Sequence, residues 1–155
     1  MREILFRAKA INRDPNREYR TNYKNGDWVY GLIERIYDER FPNIPSSMID
    51  QYGVSNIDVD YKTISEYTGL TDKNGKKIFD GDIVKCYDKN VDESFCAIIM
   101  FGNPNGFYNY GWQLKPIGET DFNVDILCWV DMEDTGAYIE IIGNIFENPE
   151  LLEVK

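Results

Sequence analysis

The segment Tyr67–Lys85, reading YTGLTDKNGKKIFDGDIVK, constrains the fold more than any other part of the chain. A polar turn, Asp72-Lys73-Asn74-Gly75, is followed by a second tight reversal, Asp80-Gly81-Asp82, and then at once by the apolar pair Ile83-Val84. Asn-Gly and Asp-Gly mark sharp reversals because these residue types enter the positive-φ region at small cost. Reversals this close together leave room for short strands and no helix. The segment therefore predicts hairpins of a small β-barrel rather than a catalytic loop.

The remaining pattern extends the β reading. Residues 2–9 place Ile4, Phe6 and Ala8 on one side of a strand, with Arg7 and Lys9 on a solvated side. A polar loop (12–25) separates them from a strand over Trp28–Ile36, which is expected to pair with the first. Between 38 and 56 the chain reads as irregular, since Pro42 and Pro45 remove ladder donors. Ser46-Ser47 before Met48-Ile49 reads as the cap and start of a short helix. Ile57, Val59 and Tyr61 alternate with Asp58 and Asp60 as a half-buried strand, and Thr63–Tyr67 reads as a helical or turn segment. Strands are then expected over Asp82–Tyr87, Phe95–Phe101, Gly106–Leu114, Val124–Asp131 and Ala137–Gly143. Asn148-Pro149-Glu150 is helix-start chemistry, predicting one terminal turn that docks Leu151 and Leu152. Spacing of this kind suits an antiparallel barrel or sandwich, with no long helical period for βαβ units.

Composition narrows the chemistry. The chain has no histidine, which removes Ser-His-Asp and Cys-His nucleophilic schemes and most zinc sites. Cys86, Cys96 and Cys128 contain no CxxC pair and sit among apolar neighbours, which predicts reduced, buried thiols and no redox motif. No apolar leader or long apolar run is present, so a cytoplasmic location is expected. The formal charge is −10, with residues 1–40 carrying 9 Lys and Arg against 7 Asp and Glu. An acidic body repels phosphate backbones, leaving the N-terminal arm with Arg7, Lys9, Arg13 and Arg17 as the only candidate nucleic-acid patch.

Other constellations weigh toward structure. Asp72-Lys73-Asn74-Gly75 lacks the ligand spacing of a calcium loop, and Asp80, Asp82 and Asp88 flank turns where Asp bonds its own backbone. Asp121, Asp125, Asp131, Glu133 and Asp134 form an acidic sector read as a solvated rim. The aromatic run Phe101, Phe107, Tyr108, Tyr110 and Trp112 is the stronger signal. Exposed aromatics on a small barrel anchor protein partners or stack bases, and Lys115 is the only base nearby. Phe107, Tyr108, Tyr110 and Trp112 are therefore the expected partner-binding residues. No catalytic residue, metal or cofactor is expected.

Three segments together resemble the YopX protein family of phages and prophages: MREILFRA at the start, YTGLTDKNGKKIFDGDIV at 67–84, and IGNIFENPELL at 142–152. Trp28-Val29-Tyr30-Gly31 resembles the family's second strand. The resemblance implies an all-β protein with an SH3-like barrel element, a phage origin and self-association, and supplies no catalytic residues. The combined expectation is mainly β: an N-terminal β region (1–66) and a C-terminal SH3-like barrel (67–155) with few short helical turns, the two forming one compact unit. Such a protein would be an accessory factor acting by protein interaction, with nucleic-acid regulation through the basic arm, or acidic mimicry of DNA toward a host protein, as alternatives.

Overall fold

The structure is a computed structural model that describes residues 2–12, 22–90, 92–103, 110–118, 124–130 and 136–153. It is mainly β, with antiparallel pairing throughout, and divides into two compact units, Met1–Tyr67 and Thr68–Lys155.

In the first unit β1 (Phe6–Lys9), β2 (Trp28–Arg35), β3 (Ser46–Asp50), β4 (Ile57–Val59) and the first residues of β5 (Ser65–Thr71) form a sheet in the order β4-β3-β2-β1-β5. Ala8, Ala10, Val29, Met48, Ile57 and Val59 make its core. Gly31 is required where β2 approaches β3, because any Cβ there would collide with the Ile49 carbonyl. A single bridge, Ala10 to Val59, brings β4 back to the end of β1, with Ile11 N–H donating to Asp58 C=O at 2.8 Å.

The turn after β3 is built around Asp50. Its Oδ1 accepts the N–H groups of Tyr52 (2.9 Å) and Val54 (2.8 Å), while its Oδ2 accepts the Tyr23 hydroxyl at 2.9 Å. Gly53, with φ of 88°, closes the turn by donating its N–H to Asp50 C=O.

The second unit contains the end of β5, β6 (Lys77–Phe79), β7 (Asp82–Asp88), β8 (Glu93–Gly102), β9 (Gly111–Pro116), β10 (Val124–Asp125), α1 (Leu127–Val130) and β11 (Ala137–Asn144). Five strands form a sheet in the order β10-β9-β8-β7-β11. The β5–β6 hairpin lays Leu70 and Ile78 onto a core of Val84, Cys86, Ala97, Ile99, Leu114, Ile126 and Ile139. Its turn repeats the chemistry of Asp50. Asp72 Oδ1 accepts the N–H groups of Asn74 and Lys76, both at 2.9 Å, and Gly75 donates to Asp72 C=O. The second oxygen, Oδ2, reaches across to β11 and accepts Ile141 N–H at 3.1 Å. Asp72 is only 7% exposed, so three backbone donors replace the water that its charge gives up.

Gly81, with φ of 80°, sits between two strands: its N–H donates to Ile99 C=O and its own C=O accepts Ile145 N–H, both at 2.9 Å. The Ile145 side chain lies 3.2 Å from where a Cβ would be, so both conformation and space call for glycine.

Several expectations are corrected. Neither sheet closes into a barrel: in the second unit β11 and the two-residue β10 stand at opposite edges and no described strand joins them, and in the first the return of β4 stops at one bridge. Ser46–Asp50 is a strand, not a helix, because both serines and Met48 are buried and Ser46 Oγ accepts Tyr37 N–H instead of capping. Tyr61–Thr63 is a 3₁₀ turn, and Thr63–Tyr67 joins its last residue to the start of β5. The strand expected over Val124–Asp131 stops after Asp125. Asp125 Oδ1 accepts Leu127 N–H, Ile126 plugs the core, and α1 follows. The strand expected from Gly106 is β9, and residues 104–109 lie outside the described residues. Pro149–Leu152 is the expected terminal turn, but Asn148 gives it no side-chain cap; its Oδ1 accepts Asn144 N–H.

Replacing Asp72 by Ala leaves buried donors unsatisfied, so Asp72→Ala is expected to lose roughly 3 kcal/mol of unfolding free energy in urea titrations. Asp72→Asn keeps one acceptor oxygen and is expected to lose less.

Candidate functional site

The face of β8 that fills the core runs through Ala97 and Ile99, both fully buried, and continues to Phe101, which is 53% exposed. On β9 the same row runs backward from Leu114, fully buried, through half-buried Trp112 to Tyr110 at 73% exposure. Ile99 pairs with Leu114 and Phe101 with Trp112, so the row is continuous across both strands. The alternation that buries the first residues thus carries aromatic rings beyond the end of the core.

The rings interlock. Phe101 meets Trp112 edge to face, with centroids 5.0 Å apart, and meets Tyr110 in the same manner at 5.6 Å. Edge-to-face pairs of this kind are preferred because the positive rim of one ring meets the negative face of the other. Trp112 Nε1 is buried with no acceptor among the described residues. Of the four partner residues expected from sequence, Tyr110 and Trp112 join this cluster, while Phe107 and Tyr108 lie outside the described residues. Phe101 belongs with them by its register to Trp112, a pairing that no sequence spacing displays.

The basic arm has a different fate. Arg7 was expected on a solvated face, yet it is 5% exposed, with its guanidinium 4.6 Å from the Trp28 ring centroid. The Lys9 ammonium lies 4.9 Å from the centroid of the same ring, so both cations meet one indole set in place by the Lys9–Trp28 register. Arg13 and Arg17 lie outside the described residues. Charge also separates by unit. Met1–Tyr67 holds 10 Lys and Arg against 11 Asp and Glu, and Thr68–Lys155 holds 7 against 16.

The acidic sector contributes Asp125 alone among the described residues, and its carboxylate is occupied by the α1 backbone. Asp82, 1% exposed, accepts Phe79 N–H at 2.8 Å and so serves the Gly81 turn. Among the described residues no three Cys, Asp or Glu side chains gather as metal ligands. All three cysteines are free, but only Cys86 is buried; Cys96 is half-buried and Cys128 lies exposed on α1, contrary to the uniform burial expected. The missed strand end is the reason, since Cys128 would have faced the core had β10 continued.

Burial, with a smaller effect from Cys96, pushes the Cys86 thiol up to about 12. Burial and the bond to Asp50 raise the Tyr23 hydroxyl to about 12. Both groups hold their protons more tightly folded than unfolded. Their contributions are therefore complete below the unfolded values, 9.0 for the thiol and 10.0 for the phenol, and are lost as pH climbs toward 12. Melting temperature is expected to fall steadily between these limits, and Cys86→Ala to flatten the early part of that fall.

A model of the YopX protein family matches residues 16–153. No curated protein matches the chain. Among solved structures, the chain is similar to protein EF1440 from Enterococcus faecalis, at 24% identity and a TM-score of 0.50, covering 99% of this chain and 100% of that one. That likeness is one of fold. No described helix is long and apolar enough to cross a membrane.

Proposed function

The chain belongs to the YopX protein family, and from that premise we propose that it acts by binding another protein through the Phe101, Tyr110 and Trp112 cluster, without chemistry of its own. The observation that carries this reading is the exposure of Phe101 and Tyr110 at the end of a row that begins with fully buried Ala97, Ile99 and Leu114. Rings held edge to face lose little freedom on binding, and aromatic anchors of this kind supply most of the energy in protein interfaces. A second copy of the chain or a phage or host protein would be the partner. The proposal includes a phage or prophage origin, a cytoplasmic setting and an SH3-like relationship for the second unit.

Tyr110→Ser and Phe101→Ser remove exposed rings and leave the buried row intact. Crosslinked capture of partners from host cells, with light scattering to report self-association, is the measurement. Each substitution is expected to cost about 2 kcal/mol of binding, roughly thirtyfold in affinity. Capture and association equal to wild type in both variants would remove the cluster from the reading.

Segregation of charge favours one second reading. With 7 basic against 16 acidic residues, Thr68–Lys155 has the sign of a nucleic-acid mimic that occupies a host protein's basic groove. Such a complex would weaken steeply with salt, whereas an aromatic interface would not. A nucleic-acid role for the basic arm is less favoured, since Arg7 would have to leave Trp28 to reach a phosphate. It predicts a mobility shift of DNA or RNA at low salt that Arg13→Ala with Arg17→Ala abolishes.

A further inference from the structure

The second unit has an open seam between two strand edges, away from the aromatic cluster. On β11 the even-numbered residues serve β7: Tyr138 pairs with Tyr87, and Gly136 C=O accepts Lys89 N–H at 3.2 Å. The odd-numbered residues face the other way. Ile139 C=O accepts Lys73 N–H at 2.9 Å, and Ile141 N–H donates to Asp72 Oδ2. By the same alternation the N–H and C=O of Ala137, and the N–H of Ile139, point outward from β7. No described strand pairs with β11 on that side.

The opposite wall is β5. Asp72 N–H donates to Lys76 C=O, so Asp72 faces β6 and Thr71 faces outward with Lys73, while Gly69, with φ of 87°, interrupts the alternation before them. β5 and β11 are therefore bonded only at the Asp72–Lys73 end. Beyond that end they separate around a cleft of about 500 Å³, lined by Gly69, Thr71, Lys73, Lys89, Trp129 and Tyr138 among others.

We propose that this seam binds an extended acidic peptide segment, which adds as a strand between β5 and β11. Outward-facing backbone groups on both walls supply the ladder, as in other cases of strand addition to an open sheet edge. Charge selects the occupant. Among the described lining residues both exposed charges are cations, Lys73 and Lys89, in a unit where acids outnumber bases by 16 to 7. Asp72 is the only acid among the described lining residues, and backbone donors hold both its oxygens. Lys73 is fixed in place by Glu140 at 2.8 Å and by the Tyr138 ring at 4.6 Å. Trp129 and Tyr138 offer rings against which alternate side chains of the strand would lie. This site is separate from the Phe101 cluster, so either can fail without the other.

The test is an amide-resolved NMR titration of the whole chain with the blocked hexapeptide Ac-Val-Asp-Val-Glu-Val-Thr-NH2, and with a counterpart carrying Lys at both acidic positions. The acidic peptide is expected to shift the amides of Gly69, Thr71, Ala137 and Ile139 and to slow hydrogen exchange at Ala137 and Ile139. Ala137→Pro removes an outward donor without touching the β7 ladder and is expected to weaken binding about tenfold. Lys89→Glu, on an exposed side chain, tests charge without risk to the fold and is expected to weaken the acidic peptide roughly fivefold and favour the Lys peptide. No shift at roughly 1 mM acidic peptide, shifts confined to Tyr110 and Trp112, or equal binding of the two peptides would each overturn the proposal.

Discussion

A carboxylate removed from water holds the second unit together. Asp72 takes two backbone donors from its own turn and a third from β11, so one side chain both shapes the hairpin and ties it to the sheet edge. Burying a charge is costly unless hydrogen bonds replace hydration, and here the donors are amides that strand geometry would otherwise leave unpaired. A single residue thereby decides where β5 and β11 meet and, by ending there, where they part. Asp50 uses the same pattern in the first unit, with the Tyr23 hydroxyl in place of the β11 amide.

The aromatic cluster arises from a similar economy of pattern. Alternation along β8 and β9 places one row of side chains in the core, and that row does not stop where the core stops. Phe101 and Tyr110 continue it into solvent, supported from beneath by Trp112. A surface made this way is continuous with fully buried strand residues, which hold its rings in a set arrangement.

How much was legible in the sequence depended on the range of the interaction involved. The β class, the β1–β2 pairing, β7, β8 and β11 followed from alternation and from Gly and Asp turn chemistry, all local signals. Cross-strand facts did not. Arg7 looked solvated because nothing in its neighbourhood announces Trp28, which lies across the sheet. Ser46 looked like a cap because serine bonds backbone donors in both settings, and the donor it met belongs to Tyr37, in the preceding segment. Val124–Asp131 is apolar enough for a strand, but Asp125 bonds forward two residues and turns the chain into α1. Barrel closure failed for a related reason: turn signals count reversals and do not say whether the last strand meets the first. At the candidate site, Phe101, Tyr110 and Trp112 were all visible in one aromatic run, whereas the contact of Phe101 with the other two came only through register.

The duplicated aspartate turn has a consequence for how the chain acquires its structure. Asp50 with Gly53, and Asp72 with Gly75, each close a loop of a few residues using only neighbours. Closing short loops costs little entropy and is fast, on the order of microseconds for a hairpin. Each unit thus carries its own early-forming seed, and the slower search is left to the distant partners, the Tyr23 hydroxyl for one and the Ile141 amide for the other, which arrive at a carboxylate already oriented to receive them.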